Sequence, residues 1–137
     1  MIQNEKKKIK IAQIGLGHDH APMALRSILK QEEIFEFCGL YIPNNELDAF
    51  PEKVQEFSYV KKISLEEILN SSEIEAVAIE TEEKYLTKYS MLVAEQNKHI
   101  HMDKPGGMEL DKFEKLIEVV KEKKVQFHTG YMYRYNP

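Results

Sequence analysis

Cysteine is nearly absent from this chain, where Cys38 stands alone. A single thiol excludes an internal disulfide framework, and inside an apolar segment it behaves as a small hydrophobe suited to a reducing cytosol. Linkers, internal repeats and low-complexity tracts are also missing. The 137 residues therefore read as one domain, 1–137, long enough to bury a real core. No apolar run approaches the length of a membrane span. Lys6, Lys7 and Lys8 precede only a short run broken at Lys10, which is no signal-peptide core. Nor does one charge dominate: nineteen basic and twenty-three acidic residues are interspersed, for a net charge of −4. Without a basic face, nucleic acid and anionic membrane are excluded as expected partners. The expectation is a cytoplasmic globular protein.

What is present is alternation. Ile9, Ile11, Ala12 and Ile14 form a short β-branched run that reads as a buried strand. Gly15-Leu16-Gly17 ends it, and Ala21, Leu25, Ile28 and Leu29 then recur at helical spacing, with Pro22 in the first turn. Strands follow at Phe35–Tyr41, Tyr59–Lys61 (a short edge), Ala76–Ile79, His99–Met102 and Val125–Thr129. Between them lie helical segments over Glu46–Phe57, broken or started at Pro51, and after Ser64, whose Ser64-Leu65-Glu66-Glu67 is a capping box. Two more carry apolar stripes: Tyr85, Tyr89, Leu92 and Val93, then Leu110, Phe113, Leu116, Ile117 and Val120. This pattern predicts an α/β fold, a doubly wound parallel sheet in a single three-layer domain with strand order 3-2-1-4-5-6.

Strand, glycine turn and helix form the context of a dinucleotide fingerprint. Gly15 permits the tight turn, and Gly17 lets the backbone of Gly15-Leu16-Gly17-His18 approach a pyrophosphate at the helix N-terminus. His20 stands where the third glycine would be, and reads as a partly exposed first-turn residue. The second motif is Asp103-Lys104-Pro105-Gly106-Gly107, at the carboxyl end of a strand, where such sheets bind ligands.

GLG near the start, DKP after the strand His99–Met102 and GYMYRYNP after the last strand resemble, in order and spacing, the glucose–fructose oxidoreductase, inositol dehydrogenase and rhizopine-catabolism (Gfo/Idh/MocA) family. The resemblance implies the N-terminal Rossmann domain of a nicotinamide-dependent oxidoreductase acting on a sugar, polyol or related secondary alcohol. Lys104 falls on the family's active-site lysine, which would stabilise alkoxide charge during hydride transfer. Tyr41, Thr81, Asp103 and Pro105 fall beside the cofactor, and a cis bond before Pro105 is expected. NAD is the expected cofactor because no arginine follows the second strand to hold a 2′-phosphate; NADP is the alternative.

Four departures bear on the cofactor. Ile42 takes the place of the ribose-binding acid, so Ile42→Asp is expected to restore affinity. His20 replaces a glycine. Glu80, Glu82 and Glu83 lie where the family has a small residue and proline; they read as a solvated helix start. The family's substrate domain is absent from this sequence, so the isolated domain is expected not to turn over. A non-catalytic module with weak or no dinucleotide binding is the rival reading. Tyr131, Tyr133 and Tyr135 would form an apolar patch able to support a homodimer. The histidine pairs His18/His20 and His99/His101, with Asp103, suggest a metal, but their strands are two spacings apart, roughly 10 Å. No metal site is expected.

Overall fold

The computed structural model describes residues 6–131. Five parallel strands, β1 (Ile9–Ile14), β2 (Phe35–Tyr41), β3 (Ala76–Ile79), β4 (His99–Met102) and β5 (Phe127–Thr129), form one sheet in the order β2-β1-β3-β4-β5. The helices are α1 (Ala21–Lys30), α2 (Asn44–Ala49), α3 (Pro51–Glu56), α4 (Leu65–Asn70), α5 (Leu86–Glu95) and α6 (Leu110–Lys123), with a 3-10 turn at Glu83–Tyr85 before α5.

The period of two along the strands distributes the core. Ala12, Ile14, Val77, Ile79, Ile100 and Met102 face one side, under Leu86 and Val93 of α5 and Leu116 and Val120 of α6. Ile11 and Ala78 face the other side, against Ile28 of α1. Central strands covered on both faces explain the unbroken apolar run Ala76–Ile79. A second cluster joins Leu16, Leu25, Leu40, Ile42, Phe57 and Val60, locking α1 and the chain after α3 to β2.

Local signals act as their chemistry requires. Pro22 and Pro51 occupy the first turns of α1 and α3, and Phe50 breaks α2 from α3. The Glu67 N–H donates to Ser64 Oγ at 3.1 Å while Glu67 Oε2 accepts from the Ser64 N–H at 2.6 Å, completing the capping box of α4. Two expectations fail. Tyr59–Lys61 forms no strand; only Lys62 bridges Leu40, since Ser64 starts α4 two residues later and leaves no length for a ladder. The outer strand of the expected order is thereby reduced to one contact. Leu110, expected on the buried stripe of α6, is exposed; the stripe begins a turn later, at Phe113.

Candidate functional site at the carboxyl edge of the sheet

The turn after β1 rises from the sheet at Gly15, whose φ of +93° suits glycine and whose added Cβ would lie 2.7 Å from the Thr81 backbone. Thr81 is fully buried and supplies the wall there, its hydroxyl donating to Glu82 O at 3.1 Å. Leu16 turns its side chain into the core and offers only its N–H. That N–H donates to Glu46 Oε2 at 2.7 Å, and the Glu82 N–H donates to Glu46 Oε1 at 3.1 Å. An added Cβ on Gly17 would lie 2.5 Å from Glu46 Oε1, so the cradle that glycine opens is filled by this carboxylate. Lys53 Nζ donates to Leu16 O and His18 O, each at 3.0 Å, and holds the loop from below.

Glu46, in the first turn of α2, is fully buried. Burial pushes its carboxyl above the ordinary range, although the N–H groups of Leu16, Glu82 and Gly17 pull the other way. The donors suit an anionic group with two acceptor oxygens: the Leu16 N–H takes Oε2 and the Glu82 N–H takes Oε1 of one carboxylate. A pyrophosphate would meet the same donors only with the Glu46 side chain displaced. Sequence reasoning missed this residue. Its only local mark is an acid in a helix first turn, and its partner lies thirty residues away.

The expected site residues separate into groups. His18 is buried, its Nε2–H donating to Lys104 O at 2.6 Å and its Nδ1 accepting from the His20 N–H at 3.0 Å. Its ring thus ties the glycine loop to the DKP loop. Asp103, also buried, accepts at Oδ1 from the Lys104 N–H at 2.7 Å and from His20 Nδ1 at 3.1 Å. Burial alone would raise its carboxyl, but Glu80, the Lys104 N–H, His18 and His20 together hold it below the ordinary range. The Lys104–Pro105 peptide is cis. Lys104 projects its ammonium half-exposed, 4.0 Å from Glu83 Oε1. Tyr41 gives its carbonyl to the Gly15 N–H at 2.8 Å and sets its ring edge-on to Tyr89.

Three expectations meet the geometry here. Glu80 is not solvated: it is fully buried, and burial followed by the neighbouring Asp103 carboxylate pushes it up to about 10. Its backbone direction, set by β3, points the side chain into the sheet face rather than along the solvated turn that carries Glu83. Ile42, at the end of β2, is buried and packs with Leu16, Leu40 and Phe57, so a carboxylate there would enter the core. The two histidine pairs are separated by β3, which lies between β1 and β4, and fall in different clusters: His18 and His20 with Asp103, and His101 with Glu80 and Asp103. Of the tail tyrosines, Tyr131 is half-exposed, and Tyr133 and Tyr135 lie outside the described residues.

Fold and loop geometry define a dinucleotide-binding α/β domain of the Rossmann class. Residues 9–131 match the oxidoreductase family with NAD-binding Rossmann fold, GFO_IDH_MocA, and the chain belongs to that family. Solved structures with the same fold include UDP-N-acetylglucosamine 3-dehydrogenase GnnA from Acidithiobacillus ferrooxidans, at 20% identity and TM-score 0.76, covering 96% of this chain and 41% of that one. Apo scyllo-inositol dehydrogenase from Lactobacillus casei aligns at 20% identity and TM-score 0.76, over 95% of this chain and 38% of its own. An NAD-binding protein from Listeria innocua aligns at 20% identity and TM-score 0.72, over 95% and 37%. The chain thus spans about two fifths of these relatives or less. No helix among the described residues is long and apolar enough to cross a membrane.

Proposed function

We infer that this chain is the dinucleotide-binding part of a nicotinamide-dependent oxidoreductase acting on a sugar, polyol or related secondary alcohol. The observation that carries the reading is the pair of N–H groups, from Leu16 and Glu82, that hold the two oxygens of the Glu46 carboxylate beside Gly17. The backbone of Gly15, Leu16, Gly17 and His18 would hold the pyrophosphate, with Tyr41 and Thr81 flanking it. Asp103 and Pro105 would set the loop from which Lys104 faces the substrate. When bound, the dinucleotide supplies the hydride acceptor, with NAD preferred over NADP because no arginine follows β2. The Lys104 ammonium would stabilise the alkoxide charge that develops on the substrate oxygen. Substrate class is supported by the names of two relatives, a UDP-sugar dehydrogenase and an inositol dehydrogenase.

Residues 1–137 would act with a separate substrate domain. Positioning of substrate is worth roughly 7–11 kcal/mol, so this part alone is expected to bind cofactor without turnover. A homodimer through the face bearing Tyr131 belongs to the same reading. A second reading, a non-catalytic module, is favoured by Glu46 in the anion cradle and Ile42 in the core. Titration of NADH into the 137-residue protein, followed by calorimetry, separates the two. Saturable binding supports the oxidoreductase; no binding by either the parent protein or Glu46→Ala would leave the non-catalytic module standing.

A further inference from the structure

Strand register brings a second set of groups together, apart from the anion cradle. Ala78 of β3 pairs with His101 of β4, and His101 pairs with His128 of β5. Residues two apart along a strand share a face, so Glu80 follows Ala78 and Asp103 follows His101 onto the side that carries α1. The small Ala78 opposite His101 leaves a cavity of about 390 Å³, walled on its far side by Met23, Ala24 and Tyr131. At its floor one carboxylate oxygen of Glu80, one of Asp103 and a ring nitrogen of His101 lie within 4.8 Å of one another.

We propose that Glu80, His101 and Asp103 form a binding site for one divalent first-row transition ion, with zinc the expected occupant. The donor set of two carboxylates and an imidazole is the chemistry such ions take. A tetrahedral ion with bonds near 2.1 Å keeps its ligand atoms about 3.4 Å apart. His101 Nε2 and Glu80 Oε1 are already 3.5 Å apart, and an Asp103 oxygen lies within 4.8 Å of both residues' ligand atoms.

Three further observations point to a ligand. Glu80 is fully buried, yet neither of its oxygens has a hydrogen-bond partner among the described residues, the imidazole nitrogens of His101 and His18 standing off at 3.5 and 4.0 Å. Its neighbour Asp103 is a second carboxyl group, and no described ammonium or guanidinium enters the cluster, since Lys104 turns to Glu83. A divalent ion would give the two adjacent buried carboxyl groups a positive partner. The ligand atoms also have outer partners that fix them. His101 Nδ1 lies 2.8 Å from His128 Nδ1, and with its Nδ1–H donated there the Nε2 lone pair faces Glu80. Asp103 is held at Oδ1 by the Lys104 N–H and His20. The cavity leaves an open side, which is the mark of a site that takes an exogenous oxygen in its last position.

The test uses the untagged 137-residue protein, stripped with chelator and titrated with Co²⁺ and then Zn²⁺. Expected are one equivalent bound at low-micromolar affinity or tighter, a visible absorption band of four- or five-coordinate cobalt, and its loss as zinc displaces cobalt. Glu80→Gln keeps a donor toward Asp103, so it should fold and bind at least tenfold more weakly. His101→Asn should do the same, and decides the question if Glu80→Gln does not fold. His99→Asn, an exposed residue of the same strand that accepts from the Gln126 N–H, should bind like the parent. No cobalt band in the parent protein, or a band unchanged in both ligand variants, would overturn the site.

Discussion

The Glu46 carboxylate accepts the Leu16 N–H at 2.7 Å, from a helix that begins after the next strand. An acid of the chain's own thus stands where an anionic ligand would, and the affinity of the loop for any phosphate is a competition with that side chain.

Removing the competitor should therefore have two opposite effects. Glu46→Ala leaves the Leu16 and Glu82 N–H groups without their acceptor, which costs roughly 1–3 kcal/mol per unsatisfied buried group. The apo protein should melt earlier. NADH should bind the variant more tightly, about tenfold or more, and should raise its Tm by more than it raises the parent's. Equal or weaker binding in Glu46→Ala would show that the loop does not accept pyrophosphate.

The same residue predicts a pH dependence. Burial places its folded pKa above the unfolded value. Its contribution to stability is therefore complete below the unfolded value of 4.5 and is lost as pH rises through the folded one. Protonation also removes the charge that competes for the loop. Affinity for NAD⁺ should rise as pH falls through the folded pKa, and Glu46→Gln should flatten that slope. Calorimetry at several pH values compares the two proteins; parallel profiles would rule out Glu46 as the gate.

Ile42→Asp, attractive on the sequence alone, should instead unfold the domain. It removes an aliphatic side chain from a cluster with Leu16, Leu40 and Phe57 and puts a carboxylate there. The expected cost is at least about 3 kcal/mol, from lost burial plus an unpaired buried charge. Chemical denaturation measures it. A variant as stable as the parent, with tighter NAD(H) binding, would mean that position 42 reaches the ribose.

Lys104 and His18 should separate chemistry from architecture. Lys104→Ala removes a half-exposed ammonium whose nearest carboxylate is 4.0 Å away, so stability should change by no more than about 0.5 kcal/mol. His18→Ala leaves Lys104 O and the His20 N–H unpaired between two loops, a loss of roughly 2–4 kcal/mol. Hydrogen exchange should show faster opening of the Lys104–Gly107 segment only in the histidine variant. Destabilisation by Lys104→Ala of the same size would assign the lysine a structural role.

The amino-acid sequence by itself determined the elements and their order. Alternating β-branched runs, the prolines that open α1 and α3, the Ser64–Glu67 box and the glycine pair after β1 are signals carried within a few residues, where backbone stereochemistry and side-chain period decide the outcome. The glycine turn after β1 and the cis Lys104–Pro105 bond after β4 were legible for the same reason. Only the tertiary structure decided which groups those elements bring into contact. Glu46 reaches Leu16 thirty residues back, and His18 meets Lys104 O across eighty-six residues. Whether Glu80 is solvated or buried depends on which face its strand presents, and β3 is placed by β1 and β4, not by the acids that follow it. Tyr59–Lys61 has strand-forming residues but too little chain before Ser64 to pair along β2. In each case the deciding interaction joins distant segments, so its energy depends on register and packing that no local window of sequence contains.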